Sequence, residues 1–128
     1  MILVLGKTKG GDTMESILNT IKKLLGIDSE DDSFDNDLIA IINTVIPILS
    51  QMNIGPPNGF ILTSPEDKWS DYLDSEINLE GVKTYIYLKT KLIFDPPSTS
   101  IVVESINNTL KELEWRMMLA VETNNLER

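Results

Sequence analysis

Apolar positions along the chain recur mainly at helical spacing. Between Met14 and Leu25 they fall at i, i+1, i+4, i+7 and i+8, and a broader stripe runs from Asp35 to Met52. A third stripe covers Leu79 to Phe94, and a fourth keeps a 3,4 spacing from about Ser100 to Ala120. Such spacing places apolar side chains on one face of a helix. The pattern therefore predicts an all-α fold, a small bundle of four main helices.

Cap residues set the expected helix ends. Gly26 follows the first helix, and Ser33 or Asp35 is expected to cap the second. Ser98 or Ser100 is expected to cap the fourth. Beyond that helix, residues 123–128 carry no apolar period and are expected to form a tail.

The second predicted helix is apolar over about half its circumference and is expected to be the central helix. Pro47 lies inside it and lacks a backbone donor, which predicts a kink near Asn43. No charged residue occurs between Asp37 and Glu66. A stretch of this length without charge indicates core, subunit contact or both.

A long irregular loop, Gly55 to Asp74, separates the second and third predicted helices and is called the excursion below. It is rich in proline and glycine at its start, and Glu66 to Leu73 is expected to hold one or two helical turns around Trp69 and Tyr72. Loops of this length are often functional. We therefore expect the excursion to project from the bundle, with its two aromatic residues as partner contacts.

The fourth predicted helix has a second apolar patch opposite its main stripe, formed by Trp115, Met118 and Leu119. Two apolar faces require two partners. Either a neighbouring subunit contacts this patch or the bundle wraps both sides of the helix, and the pattern leaves both open.

Lys89 lies in the apolar stripe of the third helix, where a lysine needs a partner or a route to solvent. Glu114 intrudes similarly on the fourth helix, but in an antiparallel hairpin it lies about 13 Å from the level of Lys89. The spacing therefore favours a lysine that extends to solvent over a buried ion pair, and Lys89 counts as a candidate contact residue.

Composition argues against catalysis. The 128-residue chain has no histidine and no cysteine, so the commonest general base and zinc ligands are missing, and no cofactor or metal site is expected. The acidic loop from Asp28 to Asp37 lacks the spacing of an EF-hand. A net charge of −9 disfavours direct binding to DNA, and no segment is long and apolar enough to suggest a signal peptide or a membrane span.

The first thirteen residues differ from the rest in being glycine-rich and basic. Lys9-Gly10-Gly11-Asp12 can be encoded by a purine-rich, ribosome-recruiting stretch, which suggests Met14 as the native start. An ordinary flexible N-terminus explains the composition equally well. The expected domain is a single helical unit over residues 14–128, preceded by a non-native or disordered extension over residues 1–13.

Three stretches in this order resemble the head–tail connector proteins of long-tailed phages and prophages of Gram-positive bacteria. They are Trp69-Ser70-Asp71-Tyr72-Leu73, then Val82 to Lys89 running into Phe94-Asp95-Pro96-Pro97, and Leu113-Glu114-Trp115-Arg116. The resemblance covers about Glu15 to Val121. The Phe-Asp-Pro-Pro helix stop followed by Glu-Trp-Arg is its most specific part.

The resemblance implies a small α-helical virion protein, assembled in the host cytoplasm, that forms a ring beneath the portal. It further implies a twelve-fold ring that extends the DNA channel and offers a docking surface to a tail-side stopper or head-completion protein. DNA would pass through without specific binding. By the same resemblance, residues 117–128 reach toward the portal, and the excursion contacts a neighbouring subunit or the tail-side partner.

Two functions from other classes remain as alternatives. A small acidic helical regulator, mimicking DNA in order to bind a host protein, would be a monomer or dimer. A hydrolase that uses carboxylates would require an acidic pair or a metal site, and the sequence shows neither.

Overall fold

The computed structural model describes residues 13–75 and 78–126, with side chains as far as residue 123. The helices are α1 (Ile17–Leu25), α2 (Asp35–Gln51), the single turn α3 (Trp69–Tyr72), α4 (Leu79–Phe94) and α5 (Ser100–Leu126). Over this range the extended pairing is limited to one antiparallel bridge between Ser16 and Lys68. The predicted all-α bundle with a long irregular loop is confirmed.

Local sequence determines both ends of α1. The Ser16 hydroxyl accepts a hydrogen bond from the Asn19 N–H at 3.1 Å, so the helix begins after Ser16 and not at Met14. Gly26 ends it at φ 83°, in the left-handed region that glycine adopts without steric cost. The N–H of Ile27 then bonds to the Lys22 carbonyl at 2.8 Å, which closes the last turn.

The caps predicted for the second and fourth helices are wrong. Phe34 occupies the position before α2 and makes no side-chain cap bond. The carboxylate of Asp35 instead lies 2.8 Å from the buried ammonium of Lys22. Because it forms this ion pair, it does not cap the N-terminus of α2. At α5, the Thr99 hydroxyl accepts from the Val102 N–H at 3.4 Å, in the role expected of Ser98 or Ser100.

The central helix is α4 and not α2 as predicted, because α4 packs against α1, α2 and α5. The apolar stripe of α2 covers one side of α4, and α1 adds a shorter stripe. The long helix α5 packs mainly on α4, and Leu110 and Met117 are its buried residues. The helix α2 continues through Pro47 to Gln51, and a kink near Asn43 stays a prediction.

The helix α5 is much longer than its partner. With 27 residues it spans about 40 Å, against about 24 Å for the 16 residues of α4. Met117 already lies beside Gly81, near the start of α4. The backbone remains helical as far as Leu126, so the predicted tail from Thr123 is wrong over this part. The last turns of α5 therefore extend about 13 Å beyond the level of Gly81.

Candidate assembly surfaces

The excursion packs against the bundle, contrary to the expectation that it projects. Its apolar residues are buried in the common core, as is the residue just before it: Leu62, Trp69, Tyr72 and Leu73 within the excursion, and Ile54 before it. The side-chain amide of Asn43 fixes its middle from α2. Its Nδ2 donates to the Leu62 carbonyl at 2.9 Å, and its Oδ1 accepts from the Leu62 N–H at 2.8 Å.

The segment before α1 holds the end of the excursion. The N–H of Trp69 donates to the Glu15 carbonyl at 3.1 Å, and the N–H of Ser70 donates to the Thr13 carbonyl at 2.8 Å. In the opposite direction the Ile17 N–H donates to the Asp67 carbonyl at 3.0 Å. These bonds satisfy backbone groups that a projecting loop would leave to solvent. The sequence does not predict this pairing, since neither segment shows the alternation of apolar and polar residues that is typical of a strand.

Trp69 and Tyr72, two of the predicted contact residues, are buried within the subunit itself. The Trp69 indole N–H donates to the Thr20 hydroxyl at 3.0 Å, and the Lys83 ammonium lies 5.8 Å from the ring centroid. Tyr72 packs on Phe60 with ring centroids 5.0 Å apart, and burial raises the pKa of its phenol. Both rings hold the excursion in place and offer no surface to a partner.

Gly55 makes the packing of Tyr72 possible. It adopts φ 91°, and a Cβ at this position would lie 2.6 Å from Cε1 of the tyrosine ring. Both the left-handed backbone and the close approach require glycine.

Trp115, Met118 and Leu119 form the outer patch of α5 and remain on the surface, with Trp115 63% exposed. The opposite face of α5 meets α4, so the bundle does not wrap both sides of this helix. Close to the patch in sequence lie two basic residues, Lys111 and Arg116, and three acidic ones, Glu112, Glu114 and Glu122. The Arg116 guanidinium lies 2.6 Å from the Glu112 carboxylate. The border of the outer patch thus carries both signs of charge.

Lys89 is half-buried, and its ammonium lies 5.7 Å from the centroid of the Tyr85 ring. Glu114 accepts a hydrogen bond from the Tyr85 hydroxyl at 2.7 Å. Tyr85 therefore lies between the two charged groups that the sequence singled out. Burial, with the hydrogen bond to Glu114, raises the pKa of Tyr85. The ring contact of Lys89 agrees with the expectation that it does not form a buried pair with Glu114.

The loop between α1 and α2 is organised by a buried lysine that the sequence analysis treated only as part of a helix end. Lys22 is 1% exposed, and its ammonium donates to the Ser29 carbonyl at 3.1 Å as well as to Asp35. Asp28 and Asp31 accept from backbone N–H groups two residues further on. A bond from Ser33 lowers the pKa of Asp31. Asp28 and Asp31 thus accept hydrogen bonds from the backbone of their own loop.

A second exposed apolar surface, which the sequence analysis missed, lies at the end of the bundle where α2 begins and α4 meets α5. We call it the apolar tip, formed by Phe34, Ile93, Phe94 and Val102. The rings of Phe34 and Phe94 meet edge to face at 5.3 Å. Ile93 follows Ile86 by seven residues on the core-facing side of α4, yet it is 59% exposed. The apolar stripe of α4 thus continues to the last residues of the helix, beyond the end of the core. An apolar stripe that runs to the very end of a helix is the sequence signal that could have indicated this surface.

Two kinds of site are absent from the described residues, a cluster of metal ligands and a membrane-spanning helix. Among the described residues, no three acidic side chains come together in a way that could hold a metal ion. No helix in the described part of the chain combines the length and apolarity needed to cross a bilayer. A groove between α1 and α4, bordered by Glu15, Lys23 and Lys83, has a volume of about 870 Å³.

Comparison with known proteins gives one finding. The model of the phage connector protein family matches residues 17–124, which covers all five helices up to the last turn of α5. No curated protein and no solved structure gives a significant match. The resemblance seen in the tryptophan and Phe-Asp-Pro-Pro motifs is thereby confirmed, and this chain belongs to the phage connector protein family, whose members are structural phage proteins.

Proposed function

We propose that this protein is a subunit of a ring adaptor at the head–tail junction of the virion, between the portal and the tail-side component. Family membership supports a structural role in contact with other phage head or tail proteins. The ring, its twelve copies and its place beneath the portal are the finer parts of the proposal, and they come from the resemblance described above.

The observation that carries the proposal is the outer patch of α5. This helix has 27 residues and packs mainly on one neighbouring helix, and its other side exposes a tryptophan, a methionine and a leucine. An exposed apolar patch of this kind is typical of a surface that another subunit covers. In a closed ring each subunit uses two different faces, one toward each neighbour. We assign the outer patch to one of these faces, with the half-buried Lys89 further along the same α4–α5 unit as a peripheral contact.

Of residues 117–128, which the resemblance directs toward the portal, we assign the part beyond the outer patch, residues 121–128, to portal docking. Because this part is helical up to residue 126 and extends beyond the bundle, the backbone up to that residue is already ordered before binding. The entropic cost of docking is then smaller than for a disordered tail. The excursion is a weaker candidate for a partner contact than the sequence suggested, since only exposed positions such as Ile61 remain available.

Charge is consistent with a channel role. With a net charge of −9 per copy, a ring repels the phosphate backbone and lets DNA pass without adhering to it.

The ring is tested by co-expressing the chain with its portal and measuring the mass and rotational symmetry of the complex. We expect a closed ring, twelve-fold by the resemblance, that Trp115→Ser disrupts. Ile101→Ser is the matched control, because Ile101 is 78% exposed on the same helix about 21 Å away. A two-fold dimer in every condition, the state expected of a regulator, would contradict the proposal.

The portal assignment is tested by truncation after Ala120. We expect the truncated chain to keep its helical circular dichroism and to lose co-purification with the portal. A helical, truncated chain that still binds the portal like the full chain would show that another surface makes this contact.

A further inference from the structure

We propose that the apolar tip docks a second phage protein, different from this chain, through a surface with an apolar centre and a border of lysine and arginine. The inference rests on the proposed adaptor function and adds a surface that it does not assign. The tip lies at the opposite end of the bundle from the projecting turns of α5, as a component between two neighbours requires.

The apolar side chains of the tip are exposed. Ile93 and Val102 lie on separate helices at the same end of the bundle and are 59% and 45% exposed, and Phe34 is 39% exposed. Phe34 and Phe94 pack against each other and so form a fixed aromatic pair at this end. Apolar surface gathered in this way on a soluble domain is typical of a contact site.

Acidic residues predominate around the tip. Exposed Asp31, Asp32 and Asp37 lie within three residues of Phe34, and exposed Asp95 directly follows Phe94. No lysine or arginine occurs between Leu24 and Asp67. Two lysines of α4, Lys89 and Lys91, lie near Ile93 in sequence. The Lys91 ammonium is shared with Asp95 at 3.5 Å, and the Lys89 ammonium lies over the Tyr85 ring, one turn further from the tip. The tip therefore has an apolar centre and an acidic border.

The acidic border of the tip limits which partner can dock there. Two copies of the tip facing each other would bring two acidic borders together, which disfavours a second copy of this chain. The outer patch differs in this respect, because its border carries both signs of charge. DNA and anionic lipid surfaces are repelled for the same reason. A protein surface with basic residues around an apolar centre matches both features of the tip.

The test uses intact phage particles that carry the photo-crosslinking residue p-benzoylphenylalanine at one position of this chain. The positions are Ile93 in the tip, Ile61 in the excursion and Trp115 in the outer patch. We expect Ile93 to crosslink to a different phage protein, at a peptide with lysine or arginine nearby, and Trp115 to crosslink to another copy of this chain.

The border is tested in the same particles. Asp32→Lys should lower the yield of the Ile93 crosslink several-fold, because it places a cation against the partner's basic border. Glu66→Lys is the matched control, since it makes the same charge change at an exposed site on the excursion, and it should leave the yield unchanged.

Each outcome bears on the tip or on the adaptor separately. A crosslink from Ile93 to the same chain, no crosslink from Ile93, or equal effects of the two charge reversals would overturn the tip proposal. If these results came with a Trp115 crosslink between copies, the proposed ring would stand. Absence of the chain from the particles would overturn both.

Discussion

Trp69 and Trp115 are the two tryptophans of the chain, and each lies outside the main apolar stripes that predict the four long helices. Sequence reasoning assigned both to partner contacts. In the structure Trp69 is fully buried, with its indole N–H bonded to Thr20, whereas Trp115 is 63% exposed on α5. The difference lies in what surrounds each residue. Around Trp69, residues 13–17 pair with the backbone of the excursion, and Thr20 and Lys83 contact the ring.

The contrast shows when an aromatic residue indicates an interface. An aromatic in an irregular loop can be an anchor that holds the loop to the core, because the loop's backbone groups also need partners. An aromatic on the uncovered side of a helix has no such use within the subunit. Exposure after folding, and not position outside a stripe, therefore separates the two cases.

The largest expected effect comes from removing the buried tryptophan. Trp69→Ala should lower the free energy of unfolding by about 3 to 5 kcal/mol, because it leaves a large cavity in the core. The measurement is urea denaturation followed by circular dichroism. Trp115→Ala is the matched control and should change stability by no more than about 0.5 kcal/mol. Equal losses from the two variants would remove the basis of the comparison.

A smaller effect is expected at the link between α2 and the excursion. Asn43→Ala leaves the buried N–H and carbonyl of Leu62 without their partners, at a cost of about 1 to 3 kcal/mol. It should also make Trp69 easier to quench with acrylamide, since the excursion is less firmly held. Thr44→Ala, a neighbouring exposed change, should do neither. A stable Asn43→Ala variant with unchanged quenching would show that the amide does not anchor the excursion.

The smallest expected effect concerns how the stability of the fold depends on pH. Hydrogen bonds from the N–H of Thr63, the Thr63 hydroxyl and the N–H of Ser64 hold the pKa of Asp67 below its ordinary value of 3.8. A lowered pKa in the folded state stabilises the fold above pH 3.8, and this contribution is lost as the pH falls through the folded value. Because Asp67 lies close to solvent, the contribution stays below about 1 kcal/mol.

Asp67→Asn tests this contribution directly. The difference in unfolding free energy from the unchanged chain should be constant near pH 6 and should shrink as the pH falls below 3.8. Glu66→Gln, next to it, removes the same charge but none of these three hydrogen bonds, and it is the matched control. A difference that grew toward low pH would have the wrong sign for this account.

The sequence predicted what depends on local pattern. Helical periodicity predicted the bounds of α2 and α4 nearly to the residue, and Gly26 predicted the end of α1. Both signals lie within a few residues of the feature that they predict. It missed what depends on distant pairing. Three links join segments that carry no shared pattern. The N–H groups of α3 donate to the carbonyls of Thr13 and Glu15, Asn43 exchanges two bonds with Leu62, and the buried Lys22 binds Ser29 and Asp35.

Of the candidate contact residues, Trp115, Met118 and Leu119 are exposed on one side of α5, as a second apolar face on a regular helix predicts, and their role as contacts stays a prediction. The sequence could not place Trp69 or Tyr72, whose burial depends on how the excursion folds back. It also missed the apolar tip, since Phe34 and Ile93 belong to different helices that only the fold brings to one end.

The central claim, that the outer patch is an assembly surface, is tested most directly by the fluorescence of Trp115. Trp69→Phe leaves Trp115 as the sole tryptophan, and Trp115→Phe leaves Trp69 as the reference. In the free protein, Trp115 should emit at long wavelength and be quenched by acrylamide, and Trp69 should be protected. On assembly with the portal, the emission of Trp115 should shift to shorter wavelength and its quenching should fall, while Trp69 stays unchanged. A Trp115 that remains as accessible in the portal-bound complex as in the free protein would contradict the account.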